Sequence, residues 1–117
     1  FDFSARGYEN AEVLTSFKDG DITITFDKGS NSNAPKYYTS GTAIRLYGGN
    51  TMKIDAGSHA ITEVEFTFGS SDGSNEISAD PGTFSSPVWT GSASIVTFTI
   101  GGTSGNRRVK GLKITCN

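Results

Sequence analysis

Cationic and aromatic side chains are concentrated in residues 35–53, PKYYTSGTAIRLYGGNTMK. Side chains of a strand alternate between its two faces, so within AIRLY Arg45 and Tyr47 share the face opposite Ile44. Cationic groups bind carboxylates, and the C–H faces of sugars stack on exposed aromatic rings. This combination favours binding of a polyhydroxylated, anionic polymer over catalysis.

The basic residues that could contact such a polymer are Lys36, Arg45, Lys53, Arg107, Arg108 and Lys110. Two or three cations on one face could each bind one carboxylate, and an arginine can do so bidentately. Alternation predicts that Lys53, beyond the Gly-Gly-Asn turn, shares the outward face of Arg45, with Lys36 in the loop leading to it. Strand order decides whether Arg107 and Arg108 join them. The alternative for each residue is ordinary solubilising surface charge.

Tyrosines are the aromatic candidates for a sugar contact. Tyr47 is outward by alternation, and one of Tyr37 and Tyr38 is expected to be outward too, with Tyr37 as the predicted contact. The phenylalanines of the strand segments follow the inward alternation and are predicted core residues: Phe26, Phe66, Phe68 and Phe98.

Strand patterns dominate the chain. DITITFD (21–27), ITEVEFTF (61–68) and IVTFTI (95–100) each alternate apolar and polar residues, and residues 42–55 are predicted to form a hairpin closed at Gly48–Asn50. In the last strand, residues 107–116, Val109 is out of step with Leu112, which predicts a β-bulge near Gly111. Only residues 9–17 carry a weak helical period, which could also be a packed loop.

Turn-rich segments separate these strands at 29–34, 69–75 and 101–106. The pattern predicts an all-β fold, an antiparallel two-sheet β-sandwich of jelly-roll type with seven to nine strands. The 117 residues suit one domain, residues 1–117, which is expected to be monomeric. Because the chain opens on an apparent strand at Phe1–Phe3, it is interpreted as a domain of a longer precursor.

Residues for catalysis or metal binding are sparse. His59 is the only histidine and Cys116 the only cysteine, a small apolar group expected in the last strand, so neither a catalytic triad nor a zinc site can be assembled. Glu63 and Glu65 share one strand face, but a solvated sheet surface explains them more simply than a glycosidase pair. No enzymatic activity and no required cofactor are expected. A structural calcium ion stays open, although no calcium loop is present.

The charge balance and hydropathy exclude two classes of partner. A net charge of −2 argues against a nucleic-acid-binding protein, which is normally basic. No apolar run approaches the roughly 20 residues needed to cross a bilayer, so no membrane partner is expected.

Several segments resemble a small β-sandwich module found in secreted and surface proteins of gut and rumen bacteria. These are APKYY (34–38), IRLYGGNT (44–51), ITEVEFTF (61–68), WTGSA (89–93) leading into VTFT (96–99), and the closing Arg-rich strand. The module is similar to carbohydrate-binding modules of plant-cell-wall enzymes. Among these is a pectin-binding family that recognises homogalacturonan through a cluster of basic side chains, without needing calcium.

The resemblance implies a secreted, non-catalytic module that holds appended catalytic domains near plant cell wall polysaccharide, and it places Trp89 in the core. The residues matching the basic cluster, and so the predicted carboxylate contacts, are Lys36, Lys53 and Arg108. Supporting contacts are predicted at Arg45, Tyr37, Tyr47 and Arg107. The pectin assignment requires the three matching cations to share one surface. The alternatives are a module that binds neutral β-glucan or xyloglucan through aromatic residues, and a structural or adhesive spacer domain.

Overall fold

The computed structural model describes residues 1–117, with twelve strands and one 3-10 turn at Phe3–Ala5. The strands are β1 (Glu12–Val13), β2 (Ser16–Asp19), β3 (Ile22–Asp27), β4 (Lys36–Tyr38), β5 (Ala43–Tyr47), β6 (Thr51–Asp55), β7 (Ile61–Phe68), β8 (Ile77–Asp80), β9 (Thr83–Ser85), β10 (Val88–Ala93), β11 (Ile95–Ile100) and β12 (Asn106–Cys116).

Two antiparallel sheets pack into a sandwich, which confirms the predicted fold class. The larger sheet has seven strands in the order β1-β4-β5-β12-β7-β10-β9, and the smaller has five in the order β2-β3-β6-β11-β8. The strand count exceeds the expected seven to nine because β1, β4 and β9 have only two or three residues each. Such short segments carry too little alternation to be recognised. No helix is long and apolar enough to cross a membrane.

The core lies between the sheets and follows the predicted alternation. In β3 the side chains of Ile24 and Phe26 are buried. In β7 those of Val64 and Phe66 are buried, while Glu65 between them is exposed. Trp89 is 0% exposed, as expected. The outer faces of both sheets are therefore left to the polar members of each strand.

The predicted hairpin across residues 42–55 is wrong, because β5 and β6 belong to different sheets. The turn at Gly48–Asn50 carries the chain over the core, and the side chain of Asn50 is 0% exposed. The backbone N–H of Tyr47 donates to Asn50 Oδ1 at 2.8 Å, and Asn50 Nδ2 donates to the carbonyls of Lys28 and Asn33 at 2.9 and 2.8 Å. These bonds tie the crossing turn to the loop after β3.

The N-terminal segment also differs from expectation. Instead of a strand over Phe1–Phe3, Asp2 forms a single bridge with Gly111 and a 3-10 turn follows. The weak helical period at residues 9–17 corresponds to no helix, since β1 and the start of β2 occupy it. The bulge near Gly111 is confirmed by a register shift in the pairing of β12 with β7. Cys116 is half-buried against the core.

Candidate ligand-binding face

Three cations form one row across the outer face of the seven-stranded sheet. In the strand register, Lys36 of β4 lies opposite Arg45 of β5, and Arg45 lies opposite Arg108 of β12. Each belongs to the outward alternation of its strand, since the flanking residues Tyr37, Ile44 and Val109 are buried. With neighbouring strands about 4.8 Å apart, the three Cα atoms span about 10 Å. We call these three residues the cation row.

The cation row carries no carboxylate partner of its own. The protein contains two ion pairs, His59 with Asp21 and Arg107 with Asp72, and neither involves the cation row. Like charges on adjacent strands repel, so an arrangement of three unpaired cations is unfavourable in the free protein. An anion bound across the row would relieve that repulsion.

Two tyrosines frame Arg45 on the same face. The guanidinium carbon of Arg45 lies 4.0 Å from the ring centroid of Tyr38, and Nζ of Lys36 lies 5.5 Å from that of Tyr47. The two phenol oxygens are 2.9 Å apart and share a hydrogen bond. These cation–π contacts and the phenol bridge hold the cationic groups in place before any ligand arrives.

A polar cleft of about 160 Å³ opens between the cation row and two loops. Its charged and aromatic walls are Arg45, Arg108 and Tyr38, and its remaining lining is small: Ser40, Gly41, Ala43, Ser70 and Ser71. The Nε atoms of both arginines are shielded from water and have no hydrogen-bond partner. No group of the chain offsets the cost of desolvating these two donors.

Arg108 is held in place by the loop that follows β7. Its backbone N–H donates to Asp72 Oδ1 at 2.6 Å, and its Nη1 donates to the carbonyl of Ser71. Asp72 is itself fixed by Arg107, whose Nη2 lies 3.0 Å from Asp72 Oδ2. The loop therefore sets the direction in which Arg108 meets the cleft.

Arg107 lies on the inner side of the sheet and not in the cation row. It pairs with the inward Leu46, and its guanidinium carbon lies 4.3 Å from the ring centroid of Phe68. Its Nη1 also donates to the carbonyl of Asn75 at 2.8 Å, and its side chain is only 12% exposed. These contacts assign Arg107 a structural role in anchoring the loop, in place of the supporting ligand contact that was predicted.

Lys53 does not share the face of Arg45, and that prediction is wrong. It lies in β6 between Thr25 and Thr97, exposed on the outside of the five-stranded sheet. The chain crosses the core at residues 48–50, so outward positions on its two sides point away from each other. The requirement that the three matching cations share one surface is therefore not met, because Lys36 and Arg108 lie on the seven-stranded sheet and Lys53 on the five-stranded one. Arg45 supplies the third cation.

Tyr37 is an inward residue and not a surface contact. It is 4% exposed, pairs with Ile44 and has its ring centroid 5.6 Å from that of Tyr8. One of the two tyrosines is outward, as expected, but it is Tyr38 and not Tyr37. Tyr47 is half-buried on the outer face, as alternation predicts.

The residues considered for catalysis and metal binding are dispersed. His59 is exposed and its Nε2 lies 3.0 Å from Asp21 Oδ2, so its partner is a residue outside the cation row. Glu63 and Glu65 are exposed on β7, opposite Thr115 and Lys113 of β12. No group of three or more His, Cys, Asp and Glu side chains is arranged to hold a metal ion.

The hydrogen bond between the hydroxyls of Tyr38 and Tyr47, which we call the phenol bridge, affects the pKa of Tyr47. Burial, followed by the hydrogen bond and charge of Tyr38, raises the pKa of Tyr47 from 10.0 to about 12, while Arg45 opposes the shift. Because the folded-state pKa is above the unfolded one, the stabilisation from the neutral phenol is complete below pH 10 and is lost as the pH rises through about 12. Tyr47 therefore remains a neutral donor over the physiological range.

Replacing Tyr38 with phenylalanine is expected to lower the pKa of Tyr47, because the variant removes the bridging hydroxyl and its negative charge at high pH. The measurement is an alkaline absorbance titration of phenolate, with Tyr47→Phe identifying the signal. Tyr8→Phe is the matched control, because Tyr8 contacts Tyr37 inside the fold and should leave Tyr47 unchanged. Burial also raises the pKa of Tyr8, so the decisive signal is the late-titrating phenol that Tyr47→Phe removes; its persistence unaltered in Tyr38→Phe would contradict the bridge.

The fold and this face define an antiparallel β-sandwich with a cationic, tyrosine-framed outer surface. No family model, curated protein or solved structure matches the chain.

Proposed function

We propose that the chain is a non-catalytic carbohydrate-binding module that recognises an acidic plant cell wall polysaccharide, with homogalacturonan as the preferred ligand. The observation that carries the proposal is the cation row of Lys36, Arg45 and Arg108, which lacks carboxylate partners and whose two arginines line a polar cleft. Homogalacturonan presents a carboxylate on every sugar, so successive residues of the chain offer repeated partners to such a row.

The chemistry of the row suits carboxylates better than hydroxyls alone. Each guanidinium can form two parallel hydrogen bonds to one carboxylate, and charge-assisted bonds are about twice as strong as neutral ones. Lys36 adds a point charge at the far side of Arg45. The hydroxyls of Tyr38 and Tyr47 lie beside these cations, where they can exchange hydrogen bonds with sugar hydroxyls.

A neutral-glucan module is the second candidate, and the aromatic residues give it less support. Trp89 and Tyr37 are buried, at 0% and 4% exposure. Arg45 lies 4.0 Å from the ring centroid of Tyr38 and Lys36 lies 5.5 Å from that of Tyr47, so each of these rings has a cation over one of its faces.

An adhesive or spacer domain is the third candidate. Its expected mark is a contiguous exposed apolar patch. The exposed large hydrophobic residues are Val13 and Ile95, which lie in strands β1 and β11 of different sheets. Two isolated residues do not form such a patch, so the exposed apolar surface does not support the adhesive or spacer hypothesis.

In the proposed role the module is secreted by a bacterium as part of a longer protein and acts as a monomer. Binding to the cell wall would keep appended catalytic domains at high local concentration near their substrate. All the proposed contacts are made by side chains of the chain itself, so neither calcium nor another cofactor takes part in recognition.

The test is affinity electrophoresis of the isolated domain in gels containing de-esterified homogalacturonan, highly methyl-esterified pectin, xyloglucan or glucomannan. We expect strong retardation by de-esterified homogalacturonan, weaker retardation by esterified pectin, and none by the two neutral polymers. Retardation by neutral glucans alone would contradict the charge-based mechanism. A reducing-sugar assay on the same polymers is expected to show no product.

A further inference from the structure

A second cleft of about 280 Å³ lies on the same sheet, farther along β12. Its lining comprises Phe1, Asp2, Thr67, Lys110, Gly111, Leu112 and Lys113. The bulge creates it: Val109 and Leu112 both point inward and pair with Phe68 and Phe66, although they are three residues apart. The extra residue therefore allows Lys110 and Lys113 both to be exposed on the outer side.

Gly69 stands at the junction of the two clefts. A Cβ atom at this position would lie 3.2 Å from Cβ of Ala43 and 3.6 Å from Cβ of Arg108, which both line the first cleft. It would also lie 3.5 Å from Cγ of Lys110, which lines the second. Because glycine has no side chain, the surface between the clefts stays low.

The two clefts differ in charge. In the second, the positive charge of Lys110 acts on Asp2, whose pKa is lowered first by hydrogen bonds from Ser4 and also by Lys110. Lys113 lies opposite Glu65 in the strand register. No ion pair joins these residues, but the lining of the second cleft includes the carboxylate of Asp2, whereas the first cleft is lined by two arginines and no acid.

We infer that the two clefts form one continuous groove over Gly69 with two unlike subsites. The subsite at Arg45 and Arg108 binds a carboxylate, and the subsite at Lys110 and Lys113 binds a neighbouring sugar through hydrogen bonds. This inference rests on the proposed function and deepens it: the ligand is a stretch of acidic chain longer than one sugar, of which only one part is recognised by charge.

The effects of oligomer length and of ionic strength on the binding affinity can be measured separately. Calorimetric titration with galacturonic acid and its oligomers of increasing length, at low and high salt, is the experiment. We expect affinity to rise at least about tenfold from the single sugar to the oligomers that span both subsites, as for two added hydrogen bonds. The salt dependence should stay the same as the oligomer lengthens, because Asp2 and Glu65 lie near the lysines of the second subsite and reduce its attraction for a carboxylate.

Two variants block the groove without touching the first subsite's charges. Thr67→Ile adds bulk at an exposed position of β7 that lines the second cleft, and Gly69→Val fills the junction. Both should abolish the gain with length, and Thr67→Ile, which lies outside the first cleft, should leave binding of the single sugar unchanged. Thr97→Ile, on the other sheet, is the matched control and should keep the gain.

The outcomes separate the two proposals. If no galacturonate oligomer binds, the proposed function itself fails. If oligomers bind with no gain over the single sugar, or if Thr67→Ile and Gly69→Val both retain the full gain as folded proteins, the groove is refuted while the acidic-sugar site stands. A salt dependence that steepens with each added sugar would show that the second subsite also binds carboxylates. It would overturn the assignment of that subsite to recognition by hydrogen bonds.

Discussion

Replacing Arg45 and Arg108 together with glutamine is expected to weaken binding of de-esterified homogalacturonan by about 100-fold or more, with the fold intact. Each guanidinium supplies charge-assisted hydrogen bonds worth at least about 1.5 kcal/mol, and about 1.4 kcal/mol corresponds to a tenfold change in affinity. Both residues line the same cleft from adjacent strands. The paired substitution therefore removes both carboxylate contacts of one subsite.

The two arginines should matter more than an average surface cation. An exposed ion pair contributes little because water and salt screen it and because long side chains lose entropy on pairing. Arg45 is instead held against the ring of Tyr38, and Arg108 is held by the carbonyl of Ser71. Their Nε atoms are already shielded from water. Much of the ordering and desolvation cost is thus met in the free protein, as in other preorganised sites.

The matched control removes the same charge from the other side of the sandwich. Lys18→Gln with Lys53→Gln changes the net charge equally, at exposed positions of β2 and β6. Isothermal titration with urea unfolding as the check on folding should show little loss in this control. Equal losses in the two double variants would mean that overall charge, and not the cation row, governs binding.

Salt provides a second readout of the same prediction. Binding by the unmodified protein should weaken as ionic strength rises, because partly exposed cation–carboxylate contacts are screened. The Arg45→Gln, Arg108→Gln protein should have a flatter dependence, whereas the Lys18→Gln, Lys53→Gln control should retain the original slope. An affinity of the unmodified protein that is insensitive to salt would exclude carboxylate contacts as the main source of binding.

The faces of the long strands could be predicted from sequence because the information is local. In β3 and β7, every second residue is apolar over six or more positions, and the apolar set is the buried one. The bulge at Gly111 could also be predicted, because the alternation of apolar and polar residues is interrupted between Val109 and Leu112. Tyr37 and Tyr38 show the limit: in a strand of three residues, Lys-Tyr-Tyr, both tyrosines are equally plausible core residues.

The composition of the cation row could not be predicted, because it depends on contacts distant in sequence. The segment Gly48–Asn50 has the composition of a hairpin turn, yet Asn50 binds the carbonyls of Lys28 and Asn33, which no local pattern reveals. The placement of β12 between β5 and β7 is likewise a matter of topology. It brings Arg108 beside Arg45, and the crossing turn removes Lys53 to the opposite sheet.

Replacing Trp89 with alanine is expected to lower the free energy of unfolding by about 3–5 kcal/mol, the usual cost of deleting a buried large aromatic side chain. Trp89 is 0% exposed, and its Nε1 donates to the carbonyl of Pro81 at 2.9 Å. A Cβ atom at Gly82 or Gly91 would lie within 2.6 or 2.7 Å of the indole, so these glycines let the backbone pack directly on the ring. Urea unfolding would measure the loss.

A more conservative substitution at the same position separates the two carbohydrate hypotheses. Trp89→Phe keeps most of the packing and loses the hydrogen bond to Pro81, so its unfolding free energy should fall by only about 1–3 kcal/mol. If the charged groove is the binding site, Trp89→Phe should bind homogalacturonan as tightly as the unmodified protein. If Trp89 stacked on a sugar, as the neutral-glucan hypothesis requires, affinity would fall in a protein that is still folded. Because the indole is closed to solvent on every side, we expect stability to change and affinity to stay.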